Sequence, residues 1–360
     1  MKRRDFVKTG ITGAVGMGIS GCSVKVKQQS SPYAFDKKGQ KPAGTMPMGE
    51  IGKTGIKVSK FGFGSHMRSD IRKFEKERGW MVREAYDMGI NFFDVYDHEQ
   101  QCYQYEPMGR HLAPVINDVV ISMSILPWEG RTLEEEFERD LRLFGRDYID
   151  MVRIHSYSSD SDNWYQWDHL FKWKEQGKIR AVGIPIHRIY EIEEPLKNYP
   201  LDYVIFPYNY YHNWSWLSYE RSHGSHENYE NFPAMLREKG VGVVTMKPFA
   251  GDSLITPFRE LAKQFDGSGE VNLAKASLRY VINSEMDIDT TLGGMYYPYH
   301  VYENIDAYFN PEMSEEERTL LKKIRNKAKI VAKHYLPDHY KFLEEWVPDT
   351  WDDSDFSKMV

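Results

Sequence analysis

The sequence predicts an α/β protein, a closed (β/α)8 TIM barrel with an N-terminal hairpin and a C-terminal helical extension. Short β-rich segments recur along the chain, most of them about 30 residues apart, and helix-period stretches lie between them. Strand, crossover and strand at this spacing indicate parallel pairing. The three-glycine fingerprint of an open dinucleotide-binding sheet is absent, because Gly62-Phe63-Gly64-Ser65 lacks the third glycine. Eight strand–helix units therefore favour a barrel over an open sheet.

One barrel domain is expected over residues 48–335, with a hairpin ahead of its first strand. The hairpin spans 48–60, turns at Lys53-Thr54-Gly55 and closes the bottom of the barrel. The barrel strands are predicted at 58–64, 90–94, 119–123, 148–154, 179–184, 203–206, 241–246 and 288–292.

Two of the predicted helices have clear sequence signals. In 132–144 the apolar residues fall on one face: Leu133, Phe137, Leu141 and Phe144. The segment 314–333 begins with Ser314 as N-cap and has acidic residues in its first turn and basic residues in its last. The remaining residues, 336–360, are expected to form an extension that packs on the barrel.

The first 47 residues are expected to lie outside the fold. Within 1–21, Arg3-Arg4 resembles a twin-arginine export motif, and Ile19-Ser20-Gly21-Cys22 resembles a bacterial lipobox. Acyl chains on Cys22 would anchor the protein to a membrane surface, with 22–47 as a flexible tether. The protein is thus expected to be an exported, membrane-anchored lipoprotein at the periplasmic face or the cell surface. The alternative is a frayed N-terminus with a chance Arg-Arg pair.

Composition excludes several classes of function. The formal net charge is −6, from 47 Lys and Arg against 53 Asp and Glu, so no nucleic-acid partner is expected. The chain has two cysteines, Cys22 and Cys102. Two cysteines exclude a disulfide scaffold and a multi-cysteine metal site.

Polar and titratable residues follow several of the predicted strands. They include Asp94, Ser124, His155, Asn209 and Lys247. In a closed barrel the active site lies at the C-terminal ends of the strands. The sequence therefore predicts a pocket at this end.

Several motifs, in chain order, resemble the aldo/keto reductase family between about residue 48 and residue 326. The segment 85–94 (AYDMGINFFD) is similar to the family signature A-x-x-x-G-I-N-x-x-D. Residues 147–155 (DYIDMVRIH) and 177–184 (GKIRAVGI) resemble its fourth and fifth strands. Residues 246–248 (MKP) resemble the branch that often carries an iron–sulfur domain. No cysteine follows Cys102, so no iron–sulfur cluster is expected.

The resemblance implies an NAD(P)-dependent oxidoreductase that acts on a small-molecule carbonyl or sugar substrate. In this family a tyrosine donates a proton to the carbonyl oxygen, and a lysine paired with an aspartate lowers the pKa of that tyrosine. A histidine orients the carbonyl. Asp94 matches the aspartate and His155 matches the histidine, whereas the lysine position is Ser124. The catalytic set is therefore degenerate.

The tyrosine position is less well defined. Tyr96, Tyr103 and Tyr105 all lie near it, and Tyr103 is preferred as the catalytic residue. Aromatic packing on a loop is the alternative role for these rings. If the pocket keeps the family's geometry, Ser124→Lys should raise carbonyl reduction.

The resemblance also implies a cofactor site, with NAD or NADP as the cofactor. The residues expected to bind it are Gly294, Glu303, Asn304, Asn209 and Lys247. The segment 295–299 (MYYPY) contains no Arg or Lys that would pair with the 2′-phosphate of NADP. Pro185-Ile186 stands where the family has the Ser-Asn pair that holds the carboxamide.

Two other functions stay open. The chain would be an exported, non-redox barrel that binds or processes carbohydrate if the aromatic run 208–219 (YNYYHNWSWLSY) stacks on sugar rings. The same run would otherwise cover the barrel mouth. A metal site would draw on His66, Asp94, His98, His155 and His187. No tight His spacing supports such a site, so no metal ligand is assigned.

Overall fold

Eight parallel strands close into a barrel in the computed structural model of this chain. The structure describes residues 37–66, 74–95, 104–125, 130–154, 164–186, 192–211, 232–252, 254–259, 262 and 271–335. The predicted fold class is confirmed. The leader 1–21, Cys22, Tyr103, His155 and the extension 336–360 lie outside the described residues.

The strands follow the chain in order around the barrel. Two short strands, β1 (Met48–Glu50) and β2 (Lys57–Ser59), first form an antiparallel hairpin. The barrel strands are β3 (Phe61–Gly64), β4 (Phe92–Val95), β5 (Val120–Ile125), β6 (Ile149–Ile154), β7 (Ile179–Pro185), β8 (Tyr203–Pro207), β9 (Gly242–Met246) and β10 (Thr290–Gly294). Strand β10 pairs with both β9 and β3, which closes the sheet.

The predicted strand 58–64 is two strands with different partners. Val58 pairs with Gly49 inside the hairpin, whereas Phe61 pairs with Thr291 in the barrel. Lys60 lies between them, and its N–H donates to the carbonyl oxygen of Pro47 at 2.8 Å. Its own carbonyl accepts from the N–H of Thr291 at 3.0 Å. Because the pairing partner changes at Lys60, the single strand predicted over 58–64 is divided into β2 and β3.

Helices lie between successive barrel strands. Their bounds are α1 (Glu75–Asp87), α2 (Tyr105–Leu112), α3 (Leu133–Phe144), α4 (Trp164–Glu175), α5 (Glu193–Asn198), α6 (Phe232–Lys239), α7 (Leu273–Ile282), α8 (Pro298–Phe309) and α9 (Glu315–Tyr335). Helix α3 begins at a capping box formed by Thr132 and Glu135. Ser314 and Glu317 form the same arrangement at α9, as the predicted N-cap requires. Among the described residues, no helix has both the length and the apolar character needed to cross a membrane.

The hairpin closes the N-terminal end of the barrel, as predicted. Ile51, Ile56 and Val58 are fully buried and pack against side chains that fill the barrel interior. Asp289, directly before β10, fastens the hairpin because its Oδ2 accepts from the N–H of Gly52 at 3.0 Å and of Val243 at 2.8 Å. This leaves the opposite, C-terminal end of the strands for a site.

Residues 37–47, which precede the hairpin, lie against helices α1 and α8. Lys38 stands 4.5 Å from the ring centre of Trp80, and Lys41 pairs with Glu84 at 2.7 Å. Gly44 sits so close to Phe309 that a Cβ would come within 2.4 Å of its ring. This stretch of the predicted tether is therefore held against the barrel by its own contacts.

Candidate active site

A buried ion pair lies inside the barrel toward the C-terminal ends of β4 and β6. Arg153 donates from Nη1 to Oδ1 of Asp94 at 2.6 Å and from Nη2 to Oδ2 at 3.0 Å. Ser122 on β5 donates its hydroxyl to the same Oδ1 at 2.7 Å and accepts from Nη1 at 2.9 Å. The two charged residues are only 6% and 5% exposed. A guanidinium fork on both carboxylate oxygens is the strongest geometry for such a pair.

The strand register brings these groups together. Asp94 is the pairing partner of Ser122, and Ser124 is the pairing partner of Arg153. Because alternate residues of a strand point to the same side, Ser122 and Ser124 both face the barrel interior. Gly183 on β7 pairs with Arg153 on one side and Tyr203 on the other.

Gly183 makes the space in which the Tyr203 ring lies. A Cβ at this position would come within 2.3 Å of the ring. Gly183→Ala is therefore expected to lower the free energy of unfolding by about 1–3 kcal/mol through overpacking, measured by denaturant titration. Gly294→Ala is the matched control, because a Cβ there meets nothing closer than Tyr296 at 3.8 Å. An equal loss of stability in both variants would contradict this assignment.

Burial and the neighbouring charged and phenolic groups shift the pKa values of Arg153 and Tyr203. Burial opposes the charge of Arg153, but the Asp94 carboxylate and the phenols of Tyr203 and Tyr105 together raise its pKa above the ordinary value. Burial also raises the pKa of the Tyr203 phenol, against the opposing effect of Arg153. Arg153 is therefore a fixed cation, and Tyr203 is neutral.

Ser124 occupies the position where the resemblance implies a lysine. Its side chain is 2% exposed, and its hydroxyl has no hydrogen-bond partner among the residues that the structure describes. The positive charge next to Asp94 comes from Arg153, not from this strand. Asp94 thus has a cationic partner as the resemblance implies, but the cation belongs to β6.

Asn209 and Lys247 meet where β8 and β9 end. The Asn209 amide donates to the carbonyl oxygen of Lys247 at 3.0 Å, and its Oδ1 accepts from the N–H of Tyr211 at 3.0 Å. Lys247, Ala250 and Asp252 have φ values of 58°, 46° and 80°. Left-handed backbone is uncommon for such residues, and strain of this kind clusters at functional sites. Burial lowers the pKa of the Lys247 amine to about 7.

Gly294 ends β10 at the side of the barrel mouth next to β3. The buried Arg78 of α1 fixes this edge, since it donates to the carbonyl oxygen of Met295 at 2.6 Å and of Ser65 at 3.0 Å. Helix α8 begins four residues after Gly294, at Pro298. The N-terminus of a helix attracts phosphate groups.

Glu303 and Asn304 lie on α8, where a basic side chain from another segment approaches them. Burial raises the pKa of Glu303, and Asn272, Lys37, Lys275 and Arg259 oppose that shift. Burial, with a further contribution from Arg259, lowers the pKa of His300 to about 3. Asn304 is buried, and its amide nitrogen has no partner within the described part of the chain. Arg259, from the segment that follows β9, therefore adds positive charge near Glu303 and His300.

The described part of the aromatic run 208–219 belongs to the core. Tyr208, Tyr210 and Tyr211 are all buried, and the hydroxyl of Tyr210 donates to the carbonyl oxygen of Leu254 at 2.9 Å. These three rings do not offer a face to a sugar. Within the described residues, no three His, Cys, Asp or Glu side chains converge in a way that would hold a metal ion.

Sequence reasoning missed two functional candidates, Arg153 and Arg259. Arg153 had a usable signal, because an arginine two residues after Met151 lies on the same face of the strand as that apolar residue, toward the barrel interior. Arg259 had none, because its proximity to α8 depends on how the chain runs after β9.

The chain is similar to known reductases in sequence and in fold. The sequence pattern of the Aldo/keto reductase family matches residues 61–326. L-galactose dehydrogenase of Arabidopsis thaliana is 24% identical over 217 residues, which cover 56% of this chain and 64% of that relative, less than two thirds of its length.

Two solved structures share the fold. The holo form of the aldo-keto reductase AKR11C1 from Bacillus halodurans has a TM-score of 0.62 at 20% identity, over 78% of this chain and 96% of that one. The thermostable aldo-keto reductase Tm1743, solved with the inhibitor epalrestat, has a TM-score of 0.61 at 18% identity. It is matched over 78% of this chain and 100% of its own. At such identities the likeness establishes the fold alone.

Proposed function

The chain belongs to the aldo/keto reductase family, and we propose that it transfers a hydride between NADH or NADPH and a small carbonyl or sugar substrate. The single observation that carries the proposal is the Asp94–Arg153 pair at the C-terminal end of the barrel. It supplies the aspartate and the cation that this chemistry uses, although the family's lysine position is a serine. A buried pair of opposite charges is costly to desolvate, so its presence beside the mouth favours a functional role.

Each residue of the set has a proposed task. Tyr103 would donate a proton to the carbonyl oxygen, and His155 would orient the carbonyl by a hydrogen bond. Asp94 and Arg153 would be the charged groups next to the phenol that donates the proton. Water exclusion by the barrel interior would strengthen these interactions, because charges act more strongly where the dielectric constant is low.

The residues around Gly294 fit the phosphates of a dinucleotide. Gly294 has room for a Cβ, which would meet nothing closer than Tyr296 at 3.8 Å. The N-terminus of α8 follows it, and Lys247 and Arg259 contribute positive charge on the adjacent segment. When bound, the nicotinamide supplies the hydride. Glu303 and Asn304 on α8 would hold the adenosine end.

Cofactor titration tests this proposal. NADH and NADPH are titrated into the purified protein, with intrinsic fluorescence and the thermal midpoint as readouts. Micromolar binding of either nucleotide, with a raised midpoint, is the expected result. No response to either, together with a midpoint raised by oligosaccharides, would overturn the proposal and favour the carbohydrate-binding barrel.

Alanine substitutions at Gly294 and Gly293 distinguish an effect on cofactor binding from an effect on stability. Gly294→Ala is expected to change the unfolding free energy by less than about 0.5 kcal/mol and to weaken nucleotide binding at least tenfold, because the added methyl group occupies the space left for a phosphate. Gly293→Ala should do the reverse, since its Cβ would come within 2.5 Å of the Phe61 ring. Unchanged nucleotide affinity in Gly294→Ala would count against the placement of the cofactor.

Lys247 should make cofactor binding depend on pH. The free enzyme has a Lys247 pKa of about 7, and a bound phosphate favours the protonated amine. Above pH 7 binding must therefore take up a proton, so the affinity is expected to fall by up to about tenfold per pH unit. Lys247→Met should remove this slope, whereas Lys239→Met, an exposed position at the end of α6, should keep it. Calorimetric titration between pH 6 and 9 measures both.

We also propose that the protein is exported and held at a membrane surface through Cys22. The support is the order and spacing of Arg3-Arg4 and the Ile19-Ser20-Gly21-Cys22 motif. Fractionation of cells that express the full chain should place it with membranes. Cys22→Ser should release it to the soluble fraction, and an unchanged membrane fraction would exclude acylation as the anchor.

A further inference from the structure

The cation beside Asp94 comes from a strand that the family resemblance does not indicate. The resemblance implies a lysine at position 124 on β5, where this chain has a serine with a buried hydroxyl. Arg153, the register partner of Ser124 on β6, holds the carboxylate instead. The positive charge next to Asp94 therefore lies on the neighbouring strand, β6, at the same level of the barrel as position 124.

We propose that Arg153 is the positioning cation of the hydride-transfer site: it fixes the orientation of Asp94 and supplies the permanent positive charge that the resemblance assigns to position 124. This inference rests on the proposed function. It assigns to Arg153 the part that a lysine would play from position 124.

The hydrogen bonds of Arg153 fit this part. Nη1 and Nη2 together occupy both oxygens of Asp94, and Nη1 also donates to Ser122. The guanidinium is thereby fixed in orientation and cannot swing away from the carboxylate without breaking all three bonds. A cation with such fixed geometry stabilises nearby negative charge without reorganisation.

The phenols of Tyr203 and Tyr105 both raise the pKa of the Arg153 guanidinium. Tyr203 lies over Gly183 and packs with the side chains that contact the hairpin, so it forms part of the interior wall. Tyr105 begins α2 directly after the segment that follows β4. The expected proton donor, Tyr103, belongs to that segment. Tyr105 is two residues from Tyr103 in the sequence, and for this reason we expect the charge of Arg153 to act on the donor phenol.

The proposed step balances as follows. A hydride adds to the carbonyl carbon, the π electrons of the C=O bond move to oxygen, and that oxygen takes the proton of the phenol. When bound, the reduced nicotinamide would supply this hydride and be oxidised, and the phenol would become a phenolate. The positive charge of Arg153 would favour that phenolate. Because a guanidinium does not lose its proton in the accessible pH range, Arg153 acts as a constant charge and takes no part in proton relay.

Three variants test the role of Arg153: Arg153→Met, Arg153→Lys and the double variant Ser124→Lys/Arg153→Met. NADPH and 4-nitrobenzaldehyde serve as probes, and kcat and KM are measured from pH 6 to 10. Arg153→Met should lose about 100-fold to 1000-fold in kcat, with KM for NADPH changed less than about threefold. Its kcat/KM should fall only at higher pH than in the unmodified protein, because the phenol loses the charge that lowers its pKa.

The other variants supply the rescue. Arg153→Lys keeps a charge and should retain activity within about tenfold. The double variant returns a cation to β5 and should recover at least about tenfold of the lost kcat. Ser124→Lys alone places two cations around one carboxylate, so we now expect no gain in reduction from it, in contrast to the expectation from sequence.

The outcomes separate this inference from the proposed function. If the unmodified protein neither binds NADPH nor reduces the aldehyde, the proposed function fails. If it is active, and Arg153→Met folds and binds NADPH with an unchanged pH profile and kcat, only the inference about Arg153 is overturned. Should Arg153→Met fail to fold, the double variant and Arg153→Lys decide, because a double variant that folds and stays inactive also contradicts the inference.

Discussion

Replacing Arg153 by methionine is expected to lower the free energy of unfolding by about 3–5 kcal/mol, which is the usual cost of leaving one member of a buried ion pair without its partner. Asp94 is 6% exposed and, among the residues that the structure describes, would keep only the hydrogen bond from Ser122. Chemical denaturation followed by circular dichroism measures the loss. This cost would be a large part of the total stability of an ordinary domain.

A double-mutant cycle measures the coupling free energy between Asp94 and Arg153 apart from their contacts with other residues. Asp94→Leu combined with Arg153→Met removes both charges, and the double variant should recover much of the loss, since apolar replacement of a buried pair is often close to neutral. Arg83→Met is the surface control. Arg83 stands 4.0 Å from Asp87, with side chains 38% and 52% exposed, so its loss should cost at most about 1 kcal/mol. Equal costs for Arg83 and Arg153 would show that the buried pair contributes no special stability.

Replacing Asp289 by alanine is the second large effect, expected at about 3–5 kcal/mol. Its carboxylate accepts from the backbone N–H of Gly52 and of Val243, and it pairs with Arg237 at 2.7 Å. Alanine would leave these donors without their acceptor at the closed end of the barrel. Because the hairpin would lose its fastening, hydrogen exchange of residues 48–59 should accelerate as well.

Asp287 provides the matched control for Asp289. It contacts the same arginine at 3.4 Å, but its side chain is 77% exposed. Asp287→Ala should therefore cost less than about 1 kcal/mol. If both alanine variants were equally stable, the fastening of the hairpin through Asp289 would be wrong.

The fold could be predicted from sequence because its signals are local. The helix beginning after Thr132 has a capping residue, an apolar face and a C-terminal glycine within one short segment. The barrel strands are short apolar runs separated by such helices, and the observed bounds of β6 and β7 differ from the predicted ones by one residue at one end of each. The exception is the run predicted as one strand over 58–64. It is divided into β2 and β3 at Lys60 because its two halves pair with different strands, which the sequence of the run does not show.

The site was predicted in part, because its chemistry depends on register. Asp94 was identified by the motif in which it lies, and the structure gives it a cationic partner. That partner, Arg153, could be assigned only when the pairing of β5 with β6 showed which inward-facing residue lies beside position 124. Tyr103 and His155, which lie outside the described residues, stay predictions.

Transfer of deuterium from the cofactor to the substrate shows whether this chain is a hydride-transferring reductase. The protein is incubated with nicotinamide cofactor deuterated at C4 of the reduced ring and with an aldehyde, and the alcohol is analysed by mass spectrometry and proton NMR. We expect one deuterium on the former carbonyl carbon, delivered from a single face of the nicotinamide ring, in the unmodified protein and, more slowly, in Arg153→Lys. An alcohol without deuterium, or no alcohol from a protein that is folded and saturated with cofactor, would contradict it.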